Sequence, residues 1–332
     1  MTRKDVETKI AIEGAKRLVK KRFRDCNSNH FSLFLKHTLM YLSTNENIDA
    51  YLNIYDITGK QNALSVLASG DQAFNLITKG IMNIDTFDIN DLTEYFALGL
   101  KRAMILKYSY REYLVLMRRF SKSYALTHDE LYSIIKGLFP YMEKHHMIFW
   151  NALIDFDYKL RKEDSKDHED TNLIQLLTFS EWPGVIRKYD NFLLNEENYN
   201  LLKSRIHKAN ITYKHANAAK LSDSFDKKYD LILLSNILDY FMFIFCDYWG
   251  YDHLEKFEKM IETLASDDAI LYLKYAFYYR YRDDERREDD STRLFRNSCF
   301  SLDKFTDEEI HEVPNSAGYE SMDGVVLKRI HK

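Results

Sequence analysis

Apolar and polar positions change their period several times along the chain, and each change predicts an element. Near the start, apolar Ile12, Leu18, Val19 and Phe23 recur beside basic Lys16, Lys20 and Lys21, and residues 1 to about 50 read as helical. At Ala63 the pattern shortens. ALSVLA is a run of strand length, SGD is a turn, AFNLITK is helix-like and closed by Gly80, and IDTFDI is a second strand-like run. Gly80 stands where a helix end favours a residue tolerant of positive φ. Asp91 and Glu94 then have capping-box spacing ahead of a helix to about Leu106, with Leu92, Phe96, Ala103 and Leu106 near one face.

Residues 107–205 carry helix formers and aromatics without a comparable pair of strand-like runs, and contain the charged stretch RKEDSKDHED. They read as a helical insertion. The alternation resumes with ITYKHANA, YDLILLSNI, a helix around His253 to Ala265 and AILYLKYAF, while EIHEVPN and GVVLKRI predict a closing antiparallel pair of edge strands. Five strands alternating with helices predict an α/β, Rossmann-like fold with a mostly parallel, doubly wound sheet. The expected organisation is an N-terminal helical segment at 1–50, a Rossmann-like domain from 51–106 and 206–332, and the insertion at 107–205. The insertion is expected to cover the cofactor and shape the acceptor site.

Charge narrows the partners. Lys plus Arg number 47 against 51 Asp plus Glu, a net charge of −4, so no global field favours nucleic acid or an anionic membrane. The most apolar stretch, Phe241 to Cys246, is far shorter than the ~20 residues that span a bilayer. Peripheral contact of the basic N-terminal helix with a membrane stays open beside the simpler reading of a solvated face. Cys26, Cys246 and Cys299 are far apart and odd in number, and the start has no apolar core of signal-peptide length. A reducing, cytoplasmic setting is expected.

In an open α/β sheet, ligands bind beyond the carboxyl ends of the strands, and Ser69, Gly70 and Asp71 fill the first strand-to-helix turn. Glycine lets backbone approach a ligand, and the following helix start offers unpaired N–H groups to a carboxylate or phosphate. The dinucleotide fingerprint has three glycines and this turn has one, which argues against NAD or FAD. A ligand presenting an amino acid end fits better, and S-adenosylmethionine is such a ligand. Asp88, 18 positions after Gly70, ends the second strand, where a carboxylate can accept from both ribose hydroxyls; an acid favoured by a helix dipole is the plainer alternative. Asn217 and Ala218 follow the third strand, suited to the adenine edge and ring, and Ser235, Asn236 and Asp239 follow the fourth. Each of these alone is equally a turn former.

Several segments together resemble a known family. YLSTNENIDAYLNIYD, NALSVLASGDQAFNLI, IDTFDINDLTEYFALGLKRAMI, NFLLNEENYNLLKSRI and YDLILLSNILDYF are similar to a bacterial family related to the S-adenosylmethionine:diacylglycerol 3-amino-3-carboxypropyltransferases of betaine-lipid synthesis. The likeness covers most of residues 35–275, and SGDQA and FDIN are its most specific parts. The resemblance implies a class I methyltransferase fold, with S-adenosylmethionine bound at Ser69 to Asp71 and at Asp88, Ile89 and Asn90. It also implies that Tyr41, Thr44, Asn45 and Glu46 close over the cofactor, and that the acceptor is a small molecule or a lipid.

The cofactor alone does not decide which group moves, because its sulfonium makes three carbons electrophilic; an in-line approach held at near-attack distance decides. For a hydroxyl acceptor, Asp239 is the carboxylate best placed as general base and Tyr240 the second candidate. Tyr240 and Phe241 can also face the cation or fill core. Lys274 is either a partner for the methionine carboxylate or a side chain that snorkels from a strand end. His145 and His146 are adjacent, so they are expected to point apart on a helix, and no metal spacing such as HExxH occurs. No metal site is expected. Aminocarboxypropyl transfer, methyl transfer and a non-catalytic cofactor-binding or partner-binding module remain as readings.

Overall fold

The structure, a computed structural model, describes residues 2–24, 39, 42–44, 46–120, 126–163, 172–178, 191–235, 237, 251–281, 309–314 and 321–329. Two compact units result: a helical unit of Met1–Thr44, Leu67–Asp71 and Ile89–Ile186, and a sheet unit of Asn45–Val66, Gln72–Asp88 and Arg187–Lys332.

The sheet unit holds β1 (Asn62–Val66), β2 (Asn83–Asp88), β3 (Asn210–His215), β4 (Tyr229–Leu233), β5 (Ala265–Tyr281), β6 (Glu309–Pro314) and β7 (Ser321–Arg329). They form one seven-stranded sheet in the order β3-β2-β1-β4-β5-β7-β6. Strands β1 to β5 pair in parallel, whereas β7 runs antiparallel to both β5 and β6. This order with a reversed β7 is that of the class I methyltransferase fold, the α/β class that the pattern and the resemblance imply. The predicted closing strands are β6 and β7, and β6 is the edge.

Parallel strands covered on both faces read as continuous apolar runs, and Leu231, Ile232 and Leu233 of β4 are fully buried with Ala63 and Leu64 of β1. An acid of β2 enters this core. Asp85 of β2 accepts from the hydroxyls of Thr212 and Tyr229 and pairs with Lys227 at 2.9 Å. Burial pushes Asp85 up, but the hydrogen bonds from Thr212, Lys227 and Tyr229 outweigh it and hold the carboxyl below its ordinary value.

Helix α2 (Ile48–Leu52) precedes β1, and α3 (Asp71–Thr78) connects β1 to β2. Gly80, at φ 93°, ends α3: its N–H reaches the Ile77 carbonyl at 3.0 Å, and the Ile81 N–H reaches that of Leu76 at 3.0 Å. These are the two bonds of a Schellman ending, the role expected of Gly80.

The helical unit contains α1 (Arg3–Arg24), a π-helical stretch at Tyr95–Lys101 continued by α4 (Arg102–Lys107), then α5 (Tyr110–Phe120), α6 (His128–Lys136), α7 (Lys144–Glu163) and α8 (Leu173–Leu177). The sheet unit adds α9 (Glu196–Arg205) and α10 (Tyr251–Leu264). Arg205 of α9 donates to the Thr78 carbonyl at 2.7 Å, satisfying an end group of α3. Helix α1 packs against α7 and α8, and the π-helical stretch packs against α7. The segment from Asp91 departs from expectation. Its first turns are π-helical rather than α-helical, Asn90 rather than Asp91 accepts the Leu92 N–H at 2.9 Å, and the Glu94 side chain goes to Lys4 and His145 instead of closing a capping box. The Lys4 ammonium and the His145 imidazole together at a buried position outcompete a single cap bond.

Candidate functional site

Local backbone shapes the turn that follows β1. Gly70 has φ 84° and its N–H donates to the Leu67 carbonyl at 2.6 Å, while Ala68 sits at φ 42°. Such values suit Gly70 far better than a residue with a Cβ. Within the helical unit, the Asp71 carboxylate gathers three donors: the Thr44 N–H at 2.6 Å, the Ser69 hydroxyl at 2.9 Å and Lys101 Nζ at 2.5 Å.

Lys101 is 0% exposed and Asp71 1%. The ammonium also donates to the carbonyls of Ser69 at 3.0 Å and Leu42 at 3.1 Å, so its three donors each have an acceptor. Burial pushes Lys101 down from its ordinary value, and the Asp71 carboxylate opposes that shift. The pair ties the turn after β1 to the segment before α2 and to the end of the π-helical stretch.

In the sheet unit, Asp88 ends β2 in register with His215 of β3, and its carbonyl accepts the Ala216 N–H at 3.0 Å. The Asp88 side chain is half-buried. Beyond β3, Asn217 caps the 3₁₀ turn Ala218–Asp223 by accepting the Ala219 N–H at 2.9 Å, and Ala218 is half-buried. Beyond β4, Ser235 takes φ 54° and donates its hydroxyl to Glu46. Ile89 and Asn90, which continue the chain after Asp88 and group with the helical unit, are 39% exposed and buried respectively.

Glu46 is the hub of a buried polar network in the sheet unit. Its second oxygen receives Gln72 Nε2 at 3.2 Å and the Tyr51 hydroxyl at 3.3 Å, and Gln72 Oε1 accepts from Ser65 Oγ at 3.0 Å. Beside it, the Tyr275 hydroxyl donates to Asp323 at 2.6 Å and accepts the Asn47 N–H at 3.0 Å. Burial pushes the Glu46 carboxyl up; the bonds from Ser235, Gln72 and Tyr51 counter it, and the nearby Asp323 carboxylate adds to the rise.

Of the residues expected to act, Thr44, Ser69 and Asp71 thus meet in the helical unit, and Glu46 meets Ser235 in the sheet unit. Tyr41, Asn45, Asn236, Asp239, Tyr240 and Phe241 lie outside the described residues, as does the Lys274 side chain. Sequence reasoning missed Lys101, Gln72, Tyr51, Tyr275 and Asp323. Gln72 had a signal, being next to Asp71 in SGDQA, whereas Lys101 stands in an apolar stretch 30 residues from its partner. It also expected His145 and His146 to point apart, but their ring centroids are 3.9 Å apart and both rings turn to Glu94. Long rotatable side chains on one helical turn can converge on a group lying over that turn.

No protein-family model matches the chain, and no curated protein matches it. Among solved structures, it is similar to a putative O-methyltransferase from Klebsiella pneumoniae at 8% identity and TM-score 0.34, covering 96% of this chain and 90% of that one. An rRNA methylase from Streptococcus thermophilus matches at 9% identity and TM-score 0.24 over 42% of this chain and 70% of its own. A phosphoethanolamine N-methyltransferase from Haemonchus contortus, in complex with phosphoethanolamine and S-adenosylhomocysteine, matches at 9% identity and TM-score 0.21 over 99% and 98%. The fold class rests on the strand order. Among the described residues no helix is long and apolar enough to cross a membrane.

Proposed function

We propose that the chain is an S-adenosylmethionine-dependent transferase whose cofactor is held by the segments that follow β1 to β4. The observation carrying this reading is the strand order with a reversed β7, joined to a Gly70 turn at φ 84° after β1 and an acid, Asp88, ending β2. The backbone N–H at Ser69 receives the methionine carboxylate, and the lack of a Cβ on Gly70 lets the turn approach it. Asp88 accepts from the ribose hydroxyls, and Ile89 and Asn90 flank the sugar. The Asn217 amide donates to the adenine edge while Ala218 packs on the ring. Asp71 is a positioning residue, since Lys101, Ser69 and Thr44 occupy its carboxylate. Tyr41, Thr44, Asn45, Glu46, Ser235 and Asn236 line the cofactor, with Asp239 as base and Tyr240 as its second candidate.

Methyl transfer is the reaction the fold supports best. Bound S-adenosylmethionine would supply an electrophilic methyl group to the acceptor, with Asp239 taking the acceptor's proton and S-adenosylhomocysteine as the by-product. Aminocarboxypropyl transfer is the second reading, favoured by SGDQA and FDIN; attack at the methionine γ-carbon leaves methylthioadenosine instead. The acceptor is a small molecule or a lipid.

The purified chain is incubated with S-adenosylmethionine and either hydroxylated and aminated small molecules or diacylglycerol vesicles, and the adenosine-containing products are separated. S-adenosylhomocysteine supports methyl transfer, and methylthioadenosine with vesicles supports the second reading. Unchanged cofactor with every acceptor, from folded protein that binds it, favours a non-catalytic module.

A further inference from the structure

We propose that Glu94, His145 and His146 form a binding site for a divalent first-row transition metal, with zinc the ion their donor set fits best. These are the three residues whose ligand atoms, among the described residues, all lie within 4.8 Å of one another. The site falls within the helical unit and is independent of the cofactor reading.

The spacing suits a metal. His145 Nε2 lies 3.0 Å and His146 Nε2 3.6 Å from the same Glu94 oxygen. Zinc takes nitrogen and carboxylate ligands at about 2.1 Å in tetrahedral geometry, which puts neighbouring ligand atoms about 3.4 Å apart. Two imidazoles and a carboxylate leave a fourth position, the count of an open zinc site. Glu143 lies 3.7 Å from His145 Nδ1, where a carboxylate can orient a ligating ring.

A second observation is independent of this spacing. His146 is 2% exposed, and neither of its ring nitrogens has a hydrogen-bond partner. Leaving a buried imidazole unsatisfied is costly, and a metal bond to one nitrogen answers it. Three local features keep the ring there. A Cβ on Gly99 would stand 3.2 Å from the His146 side chain, so the absence of one admits the ring. Tyr95 meets His146 edge to face at 5.8 Å. Finally, Gly99 belongs to the π-helical stretch that starts immediately after Glu94, and such stretches frequently accompany functional sites.

Neutral imidazole is the form that ligates. Lys4 Nζ, 2.5 Å from the same Glu94 oxygen, is the competing cation, and its side chain is 33% exposed. Metal binding therefore requires the ammonium to leave that oxygen, and the partly exposed Lys4 and His145 provide the way in.

The test uses the full chain, stripped with a chelator and dialysed, titrated with Zn²⁺ by calorimetry and with Co²⁺ by visible absorption. The expected result is one ion per chain and an intense tetrahedral cobalt band. Glu94→Gln and His145→Ala each weaken binding by at least about a hundredfold, more than outer partners typically cost. Lys4→Ala tightens it. Far-UV circular dichroism checks the folding of each variant; should Glu94→Gln fail to fold, the partly exposed positions His145 and Lys4 still decide. Folded wild type that binds no ion, or affinity unaltered by His145→Ala and by Lys4→Ala, would overturn the proposal.

Discussion

At the residue scale, Glu46 shows how burial and hydrogen bonding compete. Its folded-state pKa is raised above the ordinary value of 4.5, with burial the largest cause. The unfolded chain therefore releases this proton first, and folded protein binds more protons between the two values. The carboxyl's contribution to stability is present below pH 4.5 and is lost as pH rises through the folded value. Glu46→Gln removes the titration and leaves an acceptor for Ser235. We expect the stability of this variant to rise relative to wild type as pH increases from about 4 to 7. Urea unfolding across that range measures it, and a pH-independent difference would contradict the assigned shift.

The same scale shows what was legible. Gly70 and Asp88 could be read directly because turn chemistry and strand ends are local properties. Lys101 could not, since nothing near it in sequence marks an ammonium that meets Asp71 30 residues away. Glu94 was read as a local cap for the same reason: its partner His145 lies 51 residues on. Local spacing specifies a cap only when no stronger distant partner competes.

Elements were more legible than residues. The central strands β1 and β4 coincide with apolar runs, because parallel strands buried on two faces need continuous apolar sequence, whereas β3 (NITYKH) is half-buried or exposed throughout and reads as a strand from alternation alone. The π-helical form of Tyr95–Lys101 was not visible, since its apolar composition fits an α-helix equally well. Gly80 offers a clean test of element-level reasoning. A Cβ placed there meets nothing within 4 Å, so the cost of Gly80→Ala comes from φ alone. We expect a loss of about 1–2 kcal/mol in chemical denaturation, the usual cost of a left-handed non-glycine residue. An unchanged midpoint would mean that α3 ends without the Schellman bonds.

At the scale of the whole molecule, strand alternation made the fold class readable, and the order β3-β2-β1-β4-β5-β7-β6 supplies what alternation cannot: which strands are neighbours. The antiparallel pairing of β6 and β7 was readable from the two strand-like runs that close the pattern, EIHEVPN and GVVLKRI. The acceptor was not, because its recognition depends on side chains brought together from distant segments rather than on any one motif.

The central claim is that the strand ends bind S-adenosylmethionine, with Asp88 on the ribose. Calorimetric titration of wild type and Asp88→Ala tests it most directly. The account predicts saturable one-to-one binding by wild type, weakened by about 1.5–3 kcal/mol in the variant, the scale of a hydrogen bond to a charged group. Folded wild type that binds no S-adenosylmethionine, or an Asp88→Ala variant that binds it equally well, would contradict it.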